Sequence, residues 1–194
     1  MKRIAFVFVA ALLGLPAMAA NPTLEMKTTA GTVTIELYAE KAPKTVDNFI
    51  KYAKDGFYNG TVFHRVISNF MIQGGGFDKS LQQKPARAPV PNEADNGLKN
   101  DLGTIAMART SNPHSATAQF FINVKNNDFL NFREPTPQGY GYTVFGKVVS
   151  GMDVVMSVAG APTGAGGPFP SDVPRTAVVI ESVKLLPGAD TGKK

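Results

Sequence analysis

An arginine set among apolar side chains is the most chemically suggestive feature of this chain. Phe63 to Gly75 reads FHRVISNFMIQGG, with Arg65 placed between Phe63, Phe70 and Met71. A guanidinium keeps its charge at neutral pH and carries several N–H donors, so it can act on a lone pair without moving a proton of its own. On a regular strand Phe63, Arg65 and Ile67 share one face, and His64 and Val66 share the other. Pattern alone also fits a surface arginine packing its stem, a hydrogen-bonded structural His64, and Phe70 and Met71 as core. A second stretch, AQFFIN from Ala118 to Asn123, sets Gln119 inside an apolar run just as Gln73 is set in the first. Phe120 and Phe121 must point to opposite faces, so one can serve a core and the other a pocket. Several apolar groups with a few convergent polar ones are the usual make-up of a small binding site.

Other chemistries find little support. The chain has no cysteine, which removes disulfides, thiolate zinc sites and thiol nucleophiles. His64 and His114 are the only histidines, and no H-x-x-x-H or EF-hand spacing occurs. Serine-hydrolase elbows and both phosphate-binding glycine signatures are missing as well. Gly74-Gly75-Gly76 is followed by no helix and reads as a loop, as does Pro162 to Pro170.

The elements that must position these residues are mostly strands. Thr32 to Tyr38 alternates with Val33, Ile35 and Leu37 on one face, and Leu24 to Thr28 is its expected partner across Ala30-Gly31. Pro43 suits the first turn of a helix whose stripe is Val46, Phe49, Ile50 and Ala53, with Gly56 as its stop. Two strands are expected between Val62 and Gln73, and others at 103–108, 120–124, 142–149 and 178–186. Asp153 to Val158 suggests a second helix. Residues 78–103 are a long non-periodic loop, of a kind that is often functional, and 160–174 read as a Gly- and Pro-rich loop. Short strands without regular βα alternation point to a mostly antiparallel sheet or barrel in one domain.

The N-terminus predicts a secretory leader over 1–19. Lys2 and Arg3 precede an apolar run from Ile4 to Leu15, Pro16 breaks it, and Ala17-Met18-Ala19 has the form of a cleavage site. Domain organisation is then leader 1–19, a folded domain over 20–186, and a flexible tail over 187–194. Without Lys2 and Arg3 the formal net charge falls from +5 to +3. The basic residues are scattered, which gives no argument for nucleic acid, and no other segment is apolar and long enough to predict stable membrane insertion.

FHRVISNFMIQGG, GTIAMA (Gly103 to Ala108), QFFINV (Gln119 to Val124) and VFGKVVSGMDVV (Val144 to Val155) closely resemble the cyclophilins. The resemblance runs from about Thr23 to Leu186. NEADNGLKN (Asn92 to Asn100) and the leader look most like the periplasmic bacterial branch. It implies a mainly β fold, a closed eight-stranded antiparallel barrel capped by two α-helices. It also implies peptidyl-prolyl cis/trans isomerase activity, without a cofactor or metal, on proline-containing peptides and on unfolded or folding exported proteins. Carried over, the catalytic residue is Arg65. Phe70, Met71, Phe121 and Leu130 line a proline pocket, Gln73 and Gln119 bind substrate backbone, and Ala108 and Arg109 follow along the adjoining groove. Tyr142 falls where many members have histidine. Phe129 falls where cyclosporin-sensitive members have tryptophan, which implies weak cyclosporin binding here. The alternative is a binding module or chaperone of the same fold.

Overall fold

The computed structural model describes residues 21–187. The leader expected at 1–19 lies outside the described residues, and so does all of the expected tail except Pro187. Strand β1 (Thr23–Thr28) and strand β2 (Gly31–Leu37) form a hairpin in which Leu24, Met26, Val33, Ile35 and Leu37 are buried, as the alternation requires. Helix α1 (Pro43–Lys54) begins at its proline and buries Val46, Phe49, Tyr52 and Ala53. Its free N-terminal amides are met from far along the chain: Lys44 N and Thr45 N donate to the Glu93 carboxylate at 3.1 and 2.9 Å, and Thr45 Oγ1 donates at 2.7 Å. That contact satisfies orphan donors and places an anion at the positive helix end. It also fastens the long 78–103 segment to the body of the protein.

Strands β3 (Thr61–Ile67), β4 (Met71–Asp78), β5 (Thr104–Met107), β6 (Phe120–Asn123) and β7 (Val144–Ser150) follow, then helix α2 (Met152–Ala159). A hairpin of β8 (Thr163–Gly166) and β9 (Phe169–Pro174) precedes the final strand β10 (Ile180–Leu185). Eight strands pair antiparallel in the order β10-β1-β2-β7-β5-β6-β4-β3. The two edges meet. Gly60 N donates to Ile180 O at 2.8 Å, Phe63 N to Val178 O at 3.0 Å, and Val62 bridges Val179. The sheet thus becomes a nearly closed barrel, which removes exposed strand edges. Its interior holds Phe49 and Tyr52 of α1, Val155 and Val158 of α2, and a cluster of Tyr58, Phe120 and Phe145.

Two segments differ from the sequence reading. Residues 160–174 are not an irregular loop: β8 and β9 pair there, and β9 lies along β3. Glycine and proline hid the pairing because the hairpin is its own two-stranded sheet, where proline is tolerated. Gly74-Gly75-Gly76 is not a loop either but the middle of β4. These glycines are there for close approach: a Cβ at Gly75 meets the Phe120 ring at 2.7 Å.

Candidate active site

A second apolar cluster lies apart from the barrel interior. It consists of Met71, Ala106, Phe121, Leu130 and Val144, with Phe70, Ala108 and Tyr142 packed against it. It floors a cavity of about 370 Å³. Neighbouring Phe120 and Phe121 take opposite faces of β6, the first into the barrel core and the second into this cluster. Arg65 reaches the cavity from β3, Gln73 from β4, Gln119 from just before β6, and Ala108 and Arg109 from just after β5. Beside Arg65, the cavity wall includes every binding position that the resemblance implies except Phe129. Phe129 sits 64% exposed on the short turn Asp128–Leu130 and stacks on Phe70 at 5.6 Å between ring centroids.

The face assignment in β3 needs correction. Phe63 and Val66 are both in the barrel core, whereas His64 and Arg65 both reach the cavity. Phe63 pairs with Gly74 and Arg65 with Gln73, so His64 is the extra residue of a β-bulge. The bulge switches the strand's parity and turns two consecutive polar side chains outward. His64 is buried as a structural residue would be, with its Nδ1 left without a partner and the Val62 backbone and the Gln119 side chain beside the ring. The ring is packed against Phe77 at 4.6 Å and Phe169 at 5.4 Å. Phe77 and Phe169 are wall residues that sequence reasoning missed; the one sits beyond the glycine run and the other in a segment read as loop.

Burial pushes the His64 pKa down to about 4, with the Arg65 charge adding to the lowering and the Val62 backbone and the Gln119 side chain opposing it. Below its unfolded pKa of about 6.5 the unfolded chain takes up a proton that the folded one refuses. Stability is therefore full above about pH 6.5 and is lost as pH falls toward 4, by at most on the order of 3 kcal/mol. Urea unfolding at pH 7 and pH 5 checks this. The wild type is expected to lose stability at pH 5, and His64→Gln to lose much less; equal losses contradict it.

Gln73 Nε2 donates to Gln119 Oε1 at 3.0 Å, which joins the two polar residues of the two apolar runs. Gln119 lies directly over Gly76, where a Cβ comes within 2.4 Å of its Cγ. Gly76→Ala is expected to displace Gln119 and break the pair. The measurable result is a KM for peptide raised about threefold or more with the melting temperature lowered only slightly; an unchanged KM contradicts the role given to this pair. Arg109 is pinned by its own bonds, Nε donating to Gly141 O and Nη1 to Thr110 O at 2.9 Å, and its guanidinium lies 4.6 Å from the Tyr142 ring centre. Behind the floor runs a buried amide chain that the sequence reading did not foresee. Asn127 Nδ2 donates to Phe70 O and to Asn123 Oδ1, Asn123 Nδ2 to Asn100 Oδ1 and Thr104 Oγ1, and Asn100 Nδ2 to Leu130 O. It holds the backbone of two wall residues, and the signal for it was an asparagine closing the apolar run FFIN.

Residues 23–185 match the family described as cyclophilin type peptidyl-prolyl cis-trans isomerase/CLD. The chain belongs to the cyclophilins. This cyclophilin is 58% identical to a peptidyl-prolyl cis-trans isomerase of Streptomyces antibioticus, over 84% of this chain and 98% of that one. It is 58% identical to peptidyl-prolyl cis-trans isomerase B of Escherichia coli over 80% of this chain and 94% of the relative. An isomerase of Acinetobacter baylyi is 53% identical over 95% and 96% of the two chains. Among solved structures, a Cryptosporidium parvum cyclophilin crystallised in the presence of the dipeptide Ala-Pro superposes with a TM-score of 0.71 at 25% identity, covering 84% of this chain and 98% of that one. This cyclophilin is accordingly a peptidyl-prolyl cis-trans isomerase, and its nearly closed eight-stranded barrel with two helices is the family's fold.

Proposed function

We propose that this cyclophilin accelerates X–Pro rotation in exported, folding proteins, with Arg65 as the group that acts on the amide. The observation that carries the mechanism is the placement of Arg65 at a cavity floored by Met71, Phe121 and Leu130 and flanked by the Gln73–Gln119 pair. The reaction makes and breaks no covalent bond. The amide turns through a twisted state about 18–20 kcal/mol above the planar one, and unaided exchange takes tens to hundreds of seconds. In the twisted state resonance is lost and the proline nitrogen becomes pyramidal and more basic. The Arg65 guanidinium donates a hydrogen bond to that nitrogen and keeps its own charge. The apolar floor holds the ring and lowers the local dielectric, which strengthens that bond. Gln73 and Gln119 hold the flanking backbone, so that the acyl part turns alone. Lowering the barrier by about 7 kcal/mol gives roughly 10⁵-fold acceleration.

Phe70, with Phe129 stacked on its outer side, closes the proline pocket, and Ala108, Arg109 and Tyr142 border the groove for the preceding residues. Phenylalanine at 129 supports weak cyclosporin binding. The leader at 1–19 and the segment Asn92 to Asn100 support residence in the periplasm, with Ala20 as the mature N-terminus. Fractionating cells that express the full chain and sequencing the recovered N-terminus tests this. A periplasmic chain starting at Ala20 is expected, and a cytoplasmic chain retaining Lys2 and Arg3 contradicts it. Acceleration of cis/trans exchange in an Ala-Pro peptide tests the enzymatic reading against a pure binding module.

A further inference from the structure

Arg65 has a charged neighbour that the mechanism above does not use. Its Nε lies 4.0 Å from Asp172 Oδ2. Asp172 sits on β9, with φ of +68°. Side chains rarely adopt that left-handed region, and Asp and Asn tolerate it best. The same hairpin sends Phe169 to the cavity wall, 5.4 Å from the His64 ring and 5.0 Å from that of Phe77. One short hairpin, far along the chain from β3, thus brings both an apolar wall and an acid to the arginine's side of the cavity.

The geometry of the pair is informative. At 4.0 Å the contact is too long for a hydrogen bond, so it occupies none of the guanidinium's donors. The side chains are 45% and 35% exposed, and ion pairs in such a setting add little stability. The backbone explains an Asp or an Asn at 172, and stability gives no reason for the charged one of the two. We propose that Asp172 is a positioning residue for Arg65: its carboxylate draws the guanidinium toward β9 over the cavity mouth and leaves the N–H groups free for the substrate amide. This rests on the assignment of Arg65 given above.

Asp172→Asn keeps the shape and the tolerance of positive φ while removing the charge, and Asp172→Gly keeps the backbone while removing the side chain. Both are expected to lower kcat on an Ala-Pro peptide by about three- to tenfold, with KM within about twofold and the melting temperature unchanged. In an Arg65→Ala background, Asp172→Asn is expected to change nothing further. Wild-type kcat in both variants overturns the proposal, and so does the same fold loss on top of Arg65→Ala. Full activity of Arg65→Ala by itself overturns the assignment of Arg65 and this proposal with it. Loss in Arg65→Ala beside wild-type rates in the Asp172 variants overturns this proposal alone.

Discussion

Arg65→Ala is expected to lower isomerase activity on an Ala-Pro peptide by at least about tenfold while the barrel stays folded. Tenfold corresponds to about 1.4 kcal/mol of transition-state stabilisation, the low end for a charge-assisted hydrogen bond formed in a partly desolvated site. The fold is expected to survive because the arginine is half-exposed, its acid partner is at 4.0 Å and also exposed, and its removal leaves no buried charge. Arg65→Lys keeps the charge and loses the planar fork, so it is expected to recover only part of the rate. Coupled peptide kinetics alongside circular dichroism checks both variants. An Arg65→Ala protein that is folded and fully active removes the arginine from the mechanism.

Phe120→Ala is expected to cost about 3–5 kcal/mol of folding stability. The ring is fully buried and meets Phe49 at 5.5 Å, Tyr58 at 5.6 Å and Phe63 at 6.1 Å, all edge-to-face. Helix α1, strand β3 and the turn before β3 are thus joined through one side chain, and truncation opens a void that backbone closed into a barrel cannot easily fill. The next residue behaves differently. Phe121 belongs to the cavity floor, so Phe121→Ala is expected to raise KM for peptide more than it lowers stability. Urea unfolding and steady-state kinetics on the two variants separate the roles. If Phe121→Ala proves the more destabilising of the two, the assignment of the two faces of β6 is wrong.

That Phe120 and Phe121 take opposite faces was legible in the sequence, because strand alternation is a local rule, whereas which of the two meets the pocket followed only from the resemblance. Also legible were the β1–β2 hairpin, from the spacing of Val33, Ile35 and Leu37, and α1, from its stripe and Pro43. The bulge at His64 was not legible. It exists only in the pairing of β3 with β4, and a lone strand carries no mark of the extra residue. Glu93 capping α1 is of the same kind, a contact 48 residues away for Thr45 with no local signature. The β8–β9 hairpin escaped notice because Thr163–Gly166 offers little apolar alternation to detect. With it went Phe169 and Asp172, so the arginine's side of the cavity was the least visible part of the site.

If Arg65 acts on the rotating amide rather than on substrate binding, NMR exchange of an Ala-Pro peptide bound to the mature chain shows it. The on-enzyme cis/trans interconversion rate and the peptide Kd are measured for wild type and for Arg65→Ala. The interconversion rate is expected to be at least about tenfold lower in the variant, with Kd within a few-fold of wild type. An unchanged interconversion rate, or a loss expressed wholly in Kd, contradicts it.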